Sequence, residues 1–318
     1  MASIPQQTKL PFIDFSNGRH KLSPEDPKWA ALRTQVRRAA EEFGCFEARF
    51  DGVPPDLQNI LIGSLPELFD LPLEMKLQIF SSKAFHGYLG QFPAMPLYES
   101  LGIDYSDQHE KVEEAVRALW PQGHPTFSKT VQSYSDNLST LYRIVRRMIL
   151  ESLSLEKYIE EHLSTTYYLL QVMKYKEPQT PVKKLGVHEH TDRNMMTILH
   201  QNQIDGLEIQ RKDGEWISLR PSQESFIVVI GDSLYAWTNG RVHSANHRVM
   251  LSGSQVRYSV GLFSVPKAGY ILKTPDELVD AEHPLLFKPF DYAEFLKFYW
   301  TEYVKGADSS LKAYCGAL

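Results

Sequence analysis

Cysteine is scarce in this chain: two among 318 residues, Cys45 and Cys315, at distant positions. So low a count excludes a disulfide-stapled scaffold and fits a reducing compartment, with both residues read as inert thiols. Basic charge is not in excess either. The 34 Lys and Arg against 39 Asp and Glu leave a net charge of -5. That balance gives no basic field of the kind nucleic acid or anionic lipid requires, so neither is expected as a partner, and no feature demands an obligate protein partner. No stretch approaches the roughly 20 consecutive apolar residues of a membrane-spanning helix, because charges interrupt the apolar runs within a few residues. The opening MASIPQQTKLPFIDF lacks a basic segment followed by a continuous apolar one and does not read as a signal peptide. These absences predict a soluble, cytoplasmic protein whose length can bury a sizeable core.

What is present divides by period. Asp26-Pro27 is a good N-cap and first-turn pair, and Trp29, Leu32, Val36, Ala40 and Phe43 then recur at helical spacing until Gly44 stops the helix. Leu57, Leu61, Leu65 and Phe69 form a second apolar stripe ending before Pro72. A long helix follows the 3-4 spacing from Phe127 through Val131, Tyr134, Leu138, Leu141, Val145 and Met148 to Ser152. Between the helices, FHGYLGQFPAMPLYES at residues 85–100 has neither regular period, which predicts an ordered loop able to wall a pocket.

After Thr165 the pattern changes to short β-branched and aromatic runs: YYLLQVMKY, MMTILHQ, GLEIQ, EWISL, SFIVVI, LYAWT and VRYSVGLFSV. Asp213-Gly214 and Asn239-Gly240 read as hairpin turns. Many short strands without intervening helices predict a double-sheet sandwich or jelly roll rather than a parallel α/β sheet. An aromatic helix from Tyr292 to Val304 closes the chain, packed back on the sheets. With no repeat and no low-complexity linker, residues 1–318 are read as one catalytic domain: a mainly helical part at 1–164, a β core at 165–289 and a C-terminal helix and tail at 290–318.

The chemistry starts at His190-Thr191-Asp192. In extended backbone, residues two apart project to the same side, so an imidazole and a carboxylate can converge on one ion. An H-x-D triplet is also common by chance among 11 histidines. His247, 55 residues after Asp192, strengthens the case, because an antiparallel strand brings a third ligand alongside. Two His and one carboxylate occupy one face of an octahedral iron(II) and leave positions for co-substrate and dioxygen, whereas structural zinc prefers four protein ligands. Ten residues further, Arg257-Tyr258-Ser259 opens a strand on which Arg257, Ser259, Gly261, Phe263 and Val265 share a face. An inward guanidinium beside a hydroxyl matches a carboxylate, so a dicarboxylate can be gripped here while its other end chelates the metal. The plainer reading is an internal salt bridge, which leaves the spacing to His247 unexplained. His188 and His243 lie near the proposed ligands. His188 has no carboxylate two residues on and His243 is out of phase with the strand, so each is read as a hydrogen-bonding neighbour or a solvated histidine.

LPFIDF, EEFGCF at residues 41–46, DLPLEMK at residues 70–76, HTD, NGRVHSANHRV and RYS occur in the same order in the plant 2-oxoglutarate and iron(II)-dependent dioxygenases, which the chain resembles over nearly its whole length. FHGYLGQFPAMPLYESLGID resembles the subgroup of glucosinolate side-chain and auxin-oxidising dioxygenases. The resemblance implies a double-stranded β-helix (jelly-roll) core packed against N-terminal helices and a C-terminal helix. It implies iron ligands His190, Asp192 and His247, and 2-oxoglutarate held by Arg257 and Ser259, with Tyr175 as a further contact. The implied reaction uses Fe(II), 2-oxoglutarate and O2, with ascorbate as an optional reductant, and releases succinate and CO2. Hydroxylation is the default outcome, and dealkylation, desaturation and ring oxidation begin the same way. Phe263 and Val265 from the inward strand face and Phe85, Tyr88, Phe92 and Tyr98 from the 85–100 segment are expected to meet a small, partly hydrophobic plant metabolite or hormone; core packing is the alternative for each. Three other readings stay open: a jelly-roll oxidase that does not use 2-oxoglutarate, a non-catalytic small-ligand module, and a zinc hydrolase, which lacks an evident general base.

Overall fold

Alternation along single strands explains the layering. In Ser225–Ile230 every residue is buried: Phe226, Val228 and Ile230 join one hydrophobic cluster, while Ile227 and Val229 join a second on the opposite side. A strand covered on both faces has to be nearly continuously apolar, and after Ser225 the run FIVVI is. The computed structural model describes residues 9–18, 21–305, 307 and 310–317. Residues 1–8 of the stretch read above for a signal peptide lie outside the described residues.

In chain order the strands are β1 (Phe12–Asp14), β2 (Cys45–Arg49), β3 (Tyr88–Leu89), β4 (Tyr98–Asp104), β5 (Thr166–Tyr175), β6 (Thr180–His190), β7 (Met196–Gln201), β8 (Leu207–Gln210), β9 (Trp216–Ser218), β10 (Ser225–Ile230), β11 (His247–Gly253), β12 (Arg257–Pro266), β13 (Ile271–Leu272) and β14 (Phe290–Asp291). The helices are α1 (Pro27–Glu42), α2 (Pro55–Asp70), α3 (Leu73–Lys76), α4 (His109–Leu119), α5 (Pro125–Ser152), α6 (Ile159–Ser164), α7 (Asp232–Trp237), α8 (Tyr292–Lys305) and α9 (Leu311–Cys315). A large sheet runs β1-β2-β10-β7-β12-β5-β4-β3 and a small one β6-β11-β8-β9. The small sheet lies over one face of the large one: Leu207, Ile209 and Ile217 pack on Ile227 and Val229, and Val249 and Leu251 pack on Met173 and Tyr175. The other face carries the helices. This is the expected mostly β jelly-roll core with N-terminal helices.

Local chemistry sets the helix ends. Asp26 accepts a hydrogen bond from the Lys28 N–H with Pro27 behind it, and Gly44, at φ +67°, takes the left-handed stop after α1. Added bulk at Gly44 would press on the His243 carbonyl, 2.4 Å from where a Cβ would sit. α5 packs along α1, α2 and α4 and reaches the sheet through Tyr142, whose hydroxyl accepts from the Ser264 N–H at 3.2 Å. Cys45 and Cys315 are free and buried, and no helix among the described residues is long and apolar enough to cross a membrane.

Three expectations need correction. LYAWT lies in and just beyond α7, so a helix does intervene among the strands. Its aromatic, strand-like composition is overridden by the contacts of Asp232 described below. Asn239-Gly240 is a left-handed turn, φ +49° and +75°, but it closes α7 instead of joining a hairpin. Asn239 is drawn away from any partner strand, donating to the Leu278 and Pro284 carbonyls and accepting from the Leu286 N–H. Asp213-Gly214 does join the paired strands β8 and β9. Finally, residues 85–100 are not all loop: they hold β3 and the start of β4, because Tyr88 and Leu89 pair with Leu101 and Ser100 at the sheet edge.

Candidate active site

Register carries the first step. β6 ends and β11 begins at histidines that pair directly across the antiparallel ladder, His190 opposite His247, with ring centroids 4.2 Å apart. Each Nδ1 faces the carbonyl of the residue two before it, His188 at 2.8 Å and Ala245 at 3.1 Å, and so carries the proton. Both Nε2 lone pairs are thereby turned toward Asp192 Oδ1, 3.7 Å from each. The second carboxylate oxygen accepts from Thr197 Oγ1 at 2.5 Å, which fixes the carboxylate plane. Burial and the neighbouring His247 push the His190 pKa down to about 4, keeping its ring in the neutral, ligating form. The three donor atoms lie within 4.8 Å of one another, a two-nitrogen, one-oxygen set that fits an iron(II) ion with open positions.

A polar knot beneath the 191–194 turn holds it in shape. The Asp232 N–H donates to the Asp192 carbonyl at 2.7 Å. The Asp232 carboxylate accepts from Thr191 at 3.0 Å and Ser244 at 2.7 Å and pairs with Arg193. Gly231 allows this approach, since a Cβ there would sit 2.1 Å from the Asn194 carbonyl oxygen. The Gly-Asp pair after an apolar strand was the available signal for this knot.

Arg257 supplies the second feature. Its side chain is 2% exposed; Nη2 donates to Gln201 Oε1 at 2.6 Å and Nη1 to Ser259 Oγ at 3.4 Å. The guanidinium carbon stands 4.7 Å from the centre of the Tyr175 ring, its partner across β5 and β12. Nε has no hydrogen-bond partner, and among the described residues no carboxylate pairs with this cation. Arg146 is also buried without a carboxylate, but all three of its nitrogens are engaged by His162, Thr166 and Ser264. Arg257 instead borders a cavity, so a guanidinium with no carboxylate partner in the protein suits the carboxylate of a ligand. Gln201 and Gly206, which back the guanidinium, had no sequence signal of their own.

That cavity, of 260 Å³, is lined from both sheets by the His-Asp-His set, Tyr175, Arg257, Ser259, Phe263 and Val265, and from the 85–100 segment by Phe85, Phe92 and Tyr98. Tyr88 is the exception among the sequence candidates. Alternation on β3 turns Leu89 to this cavity and Tyr88 to a buried ion pair of Lys76 with Glu99, whose carboxylate accepts from the Tyr88 hydroxyl at 2.8 Å. His188 reaches the site through its carbonyl, and its exposed ring lies on the cavity rim; the His243 N–H is tied to Ala40. The C-terminal helix α8 contributes a wall the sequence did not announce: Trp300 meets Phe85 edge-on at 5.2 Å and Phe92 at 6.5 Å.

Comparison with known proteins agrees with this geometry. Residues 160–266 match the 2OG-Fe(II) oxygenase superfamily, and residues 10–123 match a second family model, described as the non-haem dioxygenase in morphine synthesis N-terminal region. A probable 2-oxoglutarate-dependent dioxygenase of Arabidopsis thaliana, AOP1.2, is 47% identical over 312 residues, covering 96% of this chain and 95% of the relative. The 2-oxoglutarate-dependent dioxygenase AOP3 of the same plant is 33% identical, covering 97% of each. The crystal structure of the rice dioxygenase for auxin oxidation superposes with a TM-score of 0.80 at 28% identity, covering 97% of this chain and 100% of that one. The Arabidopsis thaliana dioxygenase for auxin oxidation 1, solved with 2-oxoglutarate, gives 0.77 at 27% identity, covering 86% of this chain and 99% of that one. Together with the paired histidines, the carboxylate between them and the guanidinium beyond, these matches establish that the chain belongs to the 2-oxoglutarate and iron(II)-dependent oxygenases.

Proposed function

We propose that this dioxygenase oxidises a small, partly hydrophobic organic molecule of the plant metabolite or hormone class, by hydroxylation, with His190, Asp192 and His247 holding iron(II). Arg257 and Ser259 grip the far carboxylate of 2-oxoglutarate, with the Tyr175 ring beneath the guanidinium. The observation that carries the reading is the buried, half-satisfied guanidinium on the same cavity as the His-Asp-His set. When bound, the metal and co-substrate supply oxidation by O2, one oxygen atom going to the organic substrate and the other into succinate as CO2 leaves. The protein's part is positional: Arg257 orients the co-substrate, Phe263 and Val265 supply apolar surface for the organic molecule, and the Phe85, Phe92 and Trp300 rings exclude water. An apolar wall with few polar groups supports a partly hydrophobic substrate, as do relatives described as dioxygenases for auxin oxidation. We further read residues 1–318 as one cytoplasmic catalytic domain without nucleic-acid, membrane or obligate protein partners. A binding module would leave the metal set without purpose and a zinc hydrolase would leave Arg257 idle, whereas an oxidase that does not use 2-oxoglutarate can keep both and is distinguished by the absence of succinate release.

Anaerobic titration of the iron(II)-loaded protein with 2-oxoglutarate tests the reading. A weak visible charge-transfer band is expected in the wild type, with a much higher half-saturation concentration in Arg257→Ala. A wild type that binds iron yet develops no band would remove 2-oxoglutarate from this site.

A further inference from the structure

The first candidate function left unassigned by the metal and co-substrate residues is recognition of the organic molecule itself, and one polar side chain on the cavity is free for it. His86 is 5% exposed and borders both the metal-bearing cavity and an adjoining cavity of 550 Å³. Its Nδ1 faces Asp104 Oδ1 at 2.7 Å, and the other oxygen of Asp104 accepts from Lys83 Nζ at 3.0 Å. Because a carboxylate only accepts, Nδ1 carries a proton, and in the neutral ring Nε2 offers a lone pair. Nε2 has no hydrogen-bond partner among the described residues.

The backbone on either side of His86 is unusual. Phe85 has φ +65°, a left-handed conformation that side-chain-bearing residues rarely adopt, and Gly87 has φ +71°. A Cβ on Gly87 would sit 2.4 Å from the Ile79 carbonyl oxygen. Gln171 reaches the Phe85 carbonyl at 3.4 Å and Ser100 at 3.2 Å, which commits its amide N–H groups. Two consecutive constraints thus hold the imidazole at the cavity border, where Asp104 engages Nδ1 and leaves Nε2 over.

We propose that His86 is the specificity-determining anchor of the organic substrate, its Nε2 accepting a hydrogen bond from a hydroxyl or N–H group on an otherwise apolar molecule. The other cavity charges favour a neutral proton donor over an anion: Arg193 is committed to Asp232, Arg257 is assigned to the co-substrate and Asp192 to the metal, and Glu189 adds a negative charge to the lining. This assignment rests on the reading of the cavity as the organic-substrate site of an oxygenase.

The test uses 2-naphthol and 2-methylnaphthalene, an isosteric pair differing in one proton donor. Each is titrated under argon into protein loaded with iron(II) and 2-oxoglutarate, following probe fluorescence, in wild type, His86→Phe and His86→Gln. The wild type is expected to prefer the naphthol, His86→Phe to lower that preference about three- to tenfold, the range of one hydrogen bond, and His86→Gln, which can still accept, to retain part of it. The visible 2-oxoglutarate band is recorded in the same samples. An affinity ratio equal in wild type and His86→Phe, or no binding of either probe to the wild type, overturns the anchor assignment. A missing band in the wild type counts against the oxygenase site instead, and the affinity ratio is read in either case.

Discussion

Gly206→Ala isolates the placement of Arg257 from its charge. A Cβ at this position would stand 3.1 Å from Arg257 Cδ, 3.3 Å from Nε and 3.3 Å from the Met250 carbonyl oxygen. Contacts this tight force a neighbour to yield by a few tenths of an ångström. Arg257 has little room to yield, since the Tyr175 ring lies 4.7 Å from its guanidinium carbon and Gln201 holds Nη2 at 2.6 Å. A small sideways shift degrades a two-point grip on a carboxylate, whose hydrogen bonds depend on alignment. Losing one charge-assisted hydrogen bond costs about 1.5–3 kcal/mol, and about 1.4 kcal/mol is tenfold in affinity, so the KM for 2-oxoglutarate is expected to rise at least tenfold. Overpacking also costs about 1–3 kcal/mol of stability, which urea unfolding measures separately. The assay follows succinate formation against 2-oxoglutarate concentration, with the KM for the organic substrate as internal control. An unchanged KM for 2-oxoglutarate in folded Gly206→Ala would refute the assignment of Arg257 to the co-substrate.

Further outcomes follow from single contacts. Thr197→Val removes the hydroxyl that fixes Asp192, and iron(II) affinity measured by metal titration should fall about 10- to 100-fold; equal affinity would mean the carboxylate needs no such support. Phe263→Ala should lower oxidation of the organic substrate more than uncoupled 2-oxoglutarate decay, while equal loss of both would assign Phe263 to packing alone. Burial lowers the His200 pKa from the ordinary 6.5 to about 4. As pH falls between those values the unfolded chain takes up a proton that the folded chain refuses, so stability is lost on acidification through this window and levels off below it. The contribution is roughly 3 kcal/mol at about 1.4 kcal/mol per pKa unit. Urea unfolding of metal-free protein from pH 7 to pH 4.5 should show the fall, and His200→Leu should reduce it; an identical slope in the variant would show that His200 does not titrate this way.

Several parts of the site were legible because they depend on spacing along one strand or across one ladder. Arg257 and Ser259 share a strand face by the period of two, and His190 and His247 meet because β6 and β11 pair antiparallel. β6 itself escaped notice since it is an edge strand with exposed Val182, Lys183 and Lys184, so its composition carries no apolar alternation. α7 was misread because Tyr235 and Trp237 favour strands, whereas the helical turn there is fixed by Asp232 binding Thr191, Ser244 and Arg193 from other segments.

The sequence by itself determined the ends of the first helix, the strand-rich second half, and His190, Asp192, His247, Arg257 and Ser259 as candidates, from residue chemistry and, for the H-x-D and R-x-S pairs, from the period of a strand. Only the tertiary structure decided which neighbours tune them. Thr197 under Asp192, Gln201 and Gly206 around Arg257, Trp300 over Phe85, and His86 turned inward by Phe85, Gly87 and Asp104 arise where distant segments touch. Those contacts depend on how two sheets and a helix stack, and no periodicity along a single stretch of chain encodes that stacking.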